Sequence, residues 1–195
     1  MSIKDGGYLF DCVMHLLFEQ TKVSNLYNRI LAIINKTKME AKKKYLSRSE
    51  ALLKLMSYCA YQERCHEEVK QKLFDLGVYY EEADAIIVDL ITNNFLNEER
   101  FAKAFAGGKF RVKKWGRRKI IQELKMKKIS DYCIKQGMKE IDAEDYWNVL
   151  NQLAEQKMAS LKDKNVLVKR NKTAKYLVSK GYEMDLIWDV LKIME

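Results

Sequence analysis

The 195-residue sequence contains no proline, two histidines and four cysteines. Without proline there is no fixed φ to punctuate long loops or edge strands. With Lys, Glu, Leu, Ala and Ile abundant, the chain reads as helices joined by short connections. The cysteines, Cys12, Cys59, Cys65 and Cys133, never show the short paired spacing of a zinc site. Cys65 and His66 are neighbours and so point in different directions on a helix. No metal is expected, and the cysteines read as free buried thiols in a reducing cytoplasm. The most apolar N-terminal run, Tyr8 to Phe18, is broken by Asp11 and His15. It reaches about half of the ~20 residues that a membrane span needs, and it lacks the cationic start and cleavage site of a signal peptide. The expectation is a cytoplasmic protein with no membrane association. Catalytic motifs are missing as well. There is no phosphate-cradling loop followed by Lys and Ser or Thr, no Gly-x-Ser-x-Gly, and no His-Glu-x-x-His. The chain is therefore expected to have no catalytic residues and no cofactor. Acids such as Glu67, Glu68, Asp84 and Asp89 read as solvated helix faces.

What is present is charge of one sign in one place. Apolar residues make up 48%, enough for a core, and the net charge is +9. Between Ala106 and Lys128 stand ten cations, Lys109, Arg111, Lys113, Lys114, Arg117, Arg118, Lys119, Lys125, Lys127 and Lys128, against one acid, Glu123. That stretch alone carries the whole net charge, and mixed-sign surfaces rarely segregate so far. It is the candidate polyanion-binding surface. On a helix from Gly116, Arg117, Arg118, Lys125 and Lys128 share a broad solvent face, with Ile120, Ile121 and Leu124 inward. Trp115, in its middle, has three readings: stacking a base, touching a partner, or filling a gap in the packing. A secondary basic patch comprises Lys162, Lys164, Lys169, Arg170, Lys172 and Lys175, offset by Asp163.

Hydrophobic periodicity divides the chain. Residues 1–44 form an N-terminal extension that ends in a basic tract with Lys36, Lys38, Lys42, Lys43 and Lys44. From Ser47 the helical spacing becomes regular, with Ser47 or Ser49 as N-cap. A later helix, Glu81 to Thr92, places Ala85, Ile86, Val88 and Leu90 inward. A motif then recurs at about fifty-residue intervals: KLFDLGV (72–78), ELKMKKI (123–129) and YLVSKGY (176–182). Leu is second in each copy and an apolar residue is last. Gly is sixth in the first and third copies, where Lys128 stands in the second. A longer helix precedes each motif and a short one follows it. The fold class is all-α: tandem three-helix repeats, three modules at 45–96, 97–141 and 142–195, in an elongated, curved arrangement. Modules of this size are marginal alone and pack on their neighbours.

The residues also carry a family resemblance. Asn97-Glu98-Glu99-Arg100-Phe101-Ala102-x-x-Phe105, the basic run, then Trp115-Gly116-x-x-Lys119-Ile120-x-x-Glu123-Leu124-x-x-Lys127-x-Ile129 resembles the central motif of the RecX family, bacterial regulators of the RecA recombinase. The upstream run Ala51 to Leu96 fits too, so the resemblance covers about residues 47–195. Lys128 departs from it, since the family commonly has Gly there. The resemblance implies a non-enzymatic protein, a monomer, that lies along the groove of the RecA–DNA filament. There it would damp ATPase, strand-exchange and coprotease activities in recombinational repair and the SOS response. The implied partners are the RecA filament and single- or double-stranded DNA. The alternative is a helix-turn-helix-like protein acting directly on duplex DNA, although no helix shows a compact base-reading set.

Because both the repeat register and the resemblance begin near Ser47, deleting residues 1–44 is expected to leave helical content and melting midpoint nearly unchanged. Circular dichroism of the full and shortened chains checks this. A collapsed transition would show that Tyr8, Leu9, Leu16, Leu17 and Phe18 pack on the repeats.

Overall fold

The structure, a computed structural model, describes residues 29–33 and 46–194. The chain forms two units, Met1–Tyr45 and Leu46–Glu195. In the first, 29–33 is helical; the Tyr8–Phe18 run, Cys12, His15 and the Lys36–Lys44 tract lie outside the described residues. In the second, the described residues form nine helices and no strand. They are α1 (Arg48–Tyr61), α2 (His66–Asp75), α3 (Tyr80–Thr92), α4 (Glu98–Lys113), α5 (Arg117–Met126), α6 (Asp131–Met138), α7 (Ala143–Ser160), α8 (Val166–Lys180) and α9 (Met184–Ile193).

Local chemistry explains most of the boundaries. Ser47, rather than Ser49, caps α1. Its hydroxyl accepts from the Glu50 amide, and its own amide donates to the Glu50 carboxylate at 3.0 Å. Asn97 caps α4 by accepting from the Arg100 amide at 2.8 Å, and Asp142 caps α7 by accepting from Glu144 and Asp145. Proline plays no part, and five helices, α2 to α5 and α8, stop beside a residue in the left-handed conformation: Gly77, Asn94, Lys114, Lys128 and Gly181.

The recurring motif is such a stop, and its hydrogen bonds repeat residue for residue. Val78 donates to the Leu73 carbonyl, Ile129 to that of Leu124 and Tyr182 to that of Leu177, at 3.0, 3.1 and 3.2 Å. The sixth-position residues have φ of +80° (Gly77), +58° (Lys128) and +94° (Gly181). Lys128 therefore ends α5 in the conformation that glycine supplies in the other two copies. Leu73, Leu124 and Leu177 are all fully buried. The three copies are one structural device, which the all-helical three-helix fold repeats.

The helices form three sets, α1–α3, α4–α6 and α7–α9, but the core does not divide in three. Leu55, Val69, Leu73, Ile86 and Leu90 belong to a cluster of the first set alone. A second, larger cluster runs through the other two sets, with Phe101, Phe110, Ile120, Leu124, Tyr146, Leu150, Leu177 and Ile187. Cys65, from the start of α2, sits in this second cluster. Cys59, Cys65 and Cys133 are free and buried, and burial pushes the thiols of Cys59 and Cys65 up. On α3 the inward face differs from the expectation. Ile87 is buried, Ala85 is half-buried, and Val88 is 59% exposed. Val88 lies about 200° around the helix from buried Ile86, so both cannot face the core.

Apart from Cys65, the first and second sets are joined by charge. Arg100 donates to Glu63 at 2.6 Å and to the side chain and carbonyl of Asn94, each at 3.1 Å. Lys127 donates to Glu68 at 2.7 Å and Lys128 to Glu67 at 2.9 Å. Glu67 and Glu68 are therefore joints, not solvated face residues. Asp89 is paired too, with Arg48 at 2.8 Å.

Lys128→Gly is expected to stabilise the fold by about 0.5–1 kcal/mol in denaturant titration. Relief of a left-handed lysine, roughly 1–2 kcal/mol, outweighs an exposed ion pair and the added freedom of the unfolded glycine. A loss of stability would mean that the Lys128–Glu67 pair holds the first two sets together.

Candidate nucleic-acid interface

The basic stretch folds as the end of α4, a three-residue turn and the start of α5. Lys114 takes a left-handed conformation (φ +53°) and caps α4 by donating to the Phe110 carbonyl at 3.0 Å. Arg111 and Lys113 lie in the last turn of α4, where the helix dipole favours cations. The first turn of α5 is the opposite case. It holds Arg117, Arg118 and Lys119 and no acid, at the positive end of the helix. Seven of the nine helices carry an acid in that turn; only α5 and α8 do not.

The start of α5 is docked on the third set through its backbone. Gly116 donates to the Lys180 carbonyl at 2.9 Å, Arg117 to the Tyr146 hydroxyl at 3.0 Å, and Arg118 to the Gly181 carbonyl at 3.1 Å. Tyr146 donates in turn to Glu183 at 2.6 Å. Burial and that bond push its phenol far above the ordinary tyrosine range, so it stays a neutral donor. The approach requires two glycines. A Cβ on Gly116 would lie 2.3 Å from the Gly181 carbonyl, and one on Gly181 would lie 2.3 Å from the Lys119 Cβ. Neither Tyr146 nor Glu183 was legible as part of this site. The available signal was a tyrosine at a core position of α7, whose hydroxyl needs a partner once buried.

The ten cations do not form one face. Lys127 and Lys128 are held by Glu68 and Glu67, and Lys125 faces Asp131 at 3.6 Å. Partial burial lowers the Lys127 pKa, but the hydrogen bond and charge of Glu68 outweigh it, and the net shift is upward. The remaining seven, Lys109, Arg111, Lys113, Lys114, Arg117, Arg118 and Lys119, make no ion pair among the described residues. Trp115 draws two of them together. The Lys109 and Lys119 ammoniums stand 5.2 and 4.7 Å from its ring, within cation–π range. The ring is half-buried and packs on the core, so gap-filling is its observed role. Arg117 lies 4.0 Å over the Tyr146 ring, inside the joint rather than on an open face. Arg118 and Lys119, with Gln122 and Ser179, line a polar cleft of about 390 Å³ between α5 and the end of α8. Lys109 and Lys113 border a different, apolar groove beside Phe101 and Phe105.

The secondary patch on α8 and the segment before it is looser. Lys172 pairs with Asp163 at 2.7 Å, and that bond holds the Asp163 carboxyl below its ordinary value. Lys162, Lys164 and Lys175 are exposed, while Lys169 and Arg170 are half-buried. Among the described residues no cluster of three His, Cys, Asp or Glu could hold a metal. No described helix is long and apolar enough to cross a membrane.

Comparison with known proteins bears on the helical sets rather than on the basic turn. Residues 97–138 match the family model "RecX, second three-helix domain", and 144–191 match "RecX, third three-helix domain". The Regulatory protein RecX of Vibrio campbellii is 33% identical over 144 residues, 73% of this chain and 88% of that protein. Those of Lactobacillus johnsonii and Lactobacillus gasseri are 35% and 31% identical, over 55% and 73% of this chain. Only 40% and 50% of those two longer relatives are spanned. The crystal structure of RecX from Lactobacillus salivarius superposes with a TM-score of 0.67 at 23% identity, over 74% of this chain and 94% of that one. At that identity the likeness speaks for the fold.

Gly116→Ala is expected to cost about 1–3 kcal/mol, because the obstructing atoms are backbone and cannot step aside. Gly108→Ala is the control. It lies within α4, and an added Cβ there meets nothing within 4 Å. It is expected to stabilise by about 0.5–1 kcal/mol through helix propensity. Equal effects in urea titration would show that the α5–α8 approach is not tight.

Proposed function

The chain belongs to the RecX family of regulatory proteins, and we propose that it modulates the RecA filament, mainly as an inhibitor, in recombinational DNA repair and the SOS response. On this reading it catalyses no reaction. It binds along the groove of the RecA–DNA filament as three repeats, 45–96, 97–141 and 142–195, preceded by the extension 1–44. The observation that carries the DNA-facing part is the first turn of α5. Exposed charges set against a helix dipole are unfavourable by about 0.3–1 kcal/mol each. Arg118 is exposed there with no carboxylate partner among the described residues, and Lys119 is half-exposed. An external polyanion supplies the missing counter-charge. We assign the contact to Arg111, Lys113, Lys114 and Arg118, with Lys109 and Lys119 beside them. Lys127 and Lys128 belong to the joint with the first set.

The test is a titration of DNA-dependent ATP hydrolysis by the cognate RecA. The protein is expected to inhibit at near-stoichiometric amounts. The triple reversal Arg111→Glu, Lys113→Glu, Arg118→Glu is expected to raise the half-inhibiting concentration at least tenfold. It should also flatten the salt dependence of DNA binding by about 2–3 in slope, a near-unit term per phosphate contact. The melting midpoint should fall only slightly: the changes at Arg111 and Lys113 oppose the dipole of α4 by about 0.3–1 kcal/mol each, and the change at Arg118 is favoured by that of α5. The same reversal at Lys162, Lys164 and Lys169 should do less. Inhibition only at levels that coat the DNA would favour the duplex-binding alternative, and an unchanged salt slope would make the basic stretch a solvated face.

A further inference from the structure

The start of α3 departs from local preference at two consecutive residues, and both are tyrosines. The corresponding N-cap in the second set is Ser130, whose hydroxyl accepts from the Cys133 amide. In the first set it is Tyr79, which makes no capping bond. The next residue, Tyr80, has φ +52°, a conformation unfavourable for a bulky side chain. Burial does not compensate at Tyr80, which is 88% exposed, whereas Tyr79 is 37% exposed. Local rules broken at a surface position, with no gain inside the fold, point to a contact outside it.

The surroundings define that contact. The Tyr79 ring meets Phe74 edge-on at 5.3 Å, and Phe74 is itself 59% exposed. With Lys70, Val78, Tyr80 and Asp84 they line a cleft of about 320 Å³, enough for one side chain. From Tyr80 an exposed stripe continues along α3 through Val88 and Ile91, residues at helical spacing on one side. Asp84 lies on it and Glu81 beside it, and neither makes an ion pair among the described residues. Glu63, Glu67 and Glu68 are paired with cations of the second set, but Glu81 and Asp84 along the stripe outnumber Lys70, the one lysine lining the cleft. That local charge repels phosphate, so the aromatics are not a base-stacking platform. Partly exposed Tyr and Phe with Asp84 and Glu81 beside them suit a protein surface that offers an aliphatic or guanidinium side chain.

We propose that Phe74, Tyr79, Tyr80 and the Val88–Ile91 stripe are the docking face for the protein component of the filament, while the cationic turn between α4 and α5 faces its DNA. The proposal rests on the filament reading above. It divides the molecule into two contact chemistries of opposite charge.

The test places a benzophenone amino acid at position 80 of the full chain. The protein is bound to a RecA–DNA filament held with a non-hydrolysable ATP analogue and then irradiated. An adduct with RecA is expected. An adduct with DNA, an adduct only with a second copy of this chain, or no adduct overturns the proposal. In parallel, Tyr80→Gly is expected to hold or raise the melting midpoint, because glycine suits φ +52°. It should weaken ATPase inhibition at least tenfold with the DNA-binding salt slope unchanged, and Phe74→Ala should do the same. If the unaltered protein inhibits and Tyr80→Gly matches it, the docking face is wrong and the filament reading stands. If the unaltered protein neither binds nor inhibits the filament, both fall together.

Discussion

Three consecutive backbone amides at the start of α5 have no acceptor in their own helix, and the place where they find one decides how the chain is assembled. Gly116, Arg117 and Arg118 donate to the Lys180 carbonyl, the Tyr146 hydroxyl and the Gly181 carbonyl. A buried helix end must satisfy its amides. Here another helix's C-terminal carbonyls do so, bringing a positive dipole end to a negative one. The arrangement also fixes Tyr146 against Tyr182 and Phe110, with ring centroids 5.0 and 5.7 Å apart, and thereby joins two sets of helices into one core. It has a consequence for binding. The amides of Gly116, Arg117 and Arg118, of the kind that make many helix N-termini anion sites, are already occupied.

Those side chains divide by what they meet. Lysines at the end of α5 reach the acidic start of α2 and tie the first set to the second. Lysines nearer the turn settle over Trp115, and Arg117 settles over Tyr146. Both are stable placements for a cation with no carboxylate nearby, because an aromatic face attracts positive charge. Arg111, Lys113 and Arg118 remain exposed, with no ion pair among the described residues. In the first set, partly exposed aromatics lie near Glu81 and Asp84, which make no ion pair among the described residues. One chain thus carries two surfaces whose fields would select different partners.

Much of the fold was legible in the sequence because it rests on local chemistry. Helix caps at Ser47, Asn97 and Ser130, the left-handed stops at Gly77 and Gly181, and the buried leucines of the recurring motif depend on residues within a few positions of one another. Lys128 was the informative exception. Sequence marked it as a departure, and the structure shows the backbone keeping the glycine conformation regardless, because the surrounding turn is held by the Leu124 carbonyl and buried Ile129. Val88 was misplaced because inward and outward stripes on a short helix differ by one or two residues, and a strongly apolar segment offers both.

The sequence by itself determined the all-helical class, the threefold motif and the concentration of positive charge, since periodicity, capping and charge counts are properties of the chain in order. Tertiary structure alone decided which cations are free. Glu67 and Glu68 lie about sixty residues from the lysines they neutralise, and Tyr146 and Glu183 lie far from the helix start they complete. Charge is additive along a sequence, but its availability depends on distance in space, and only folding brings those partners within a few ångströms.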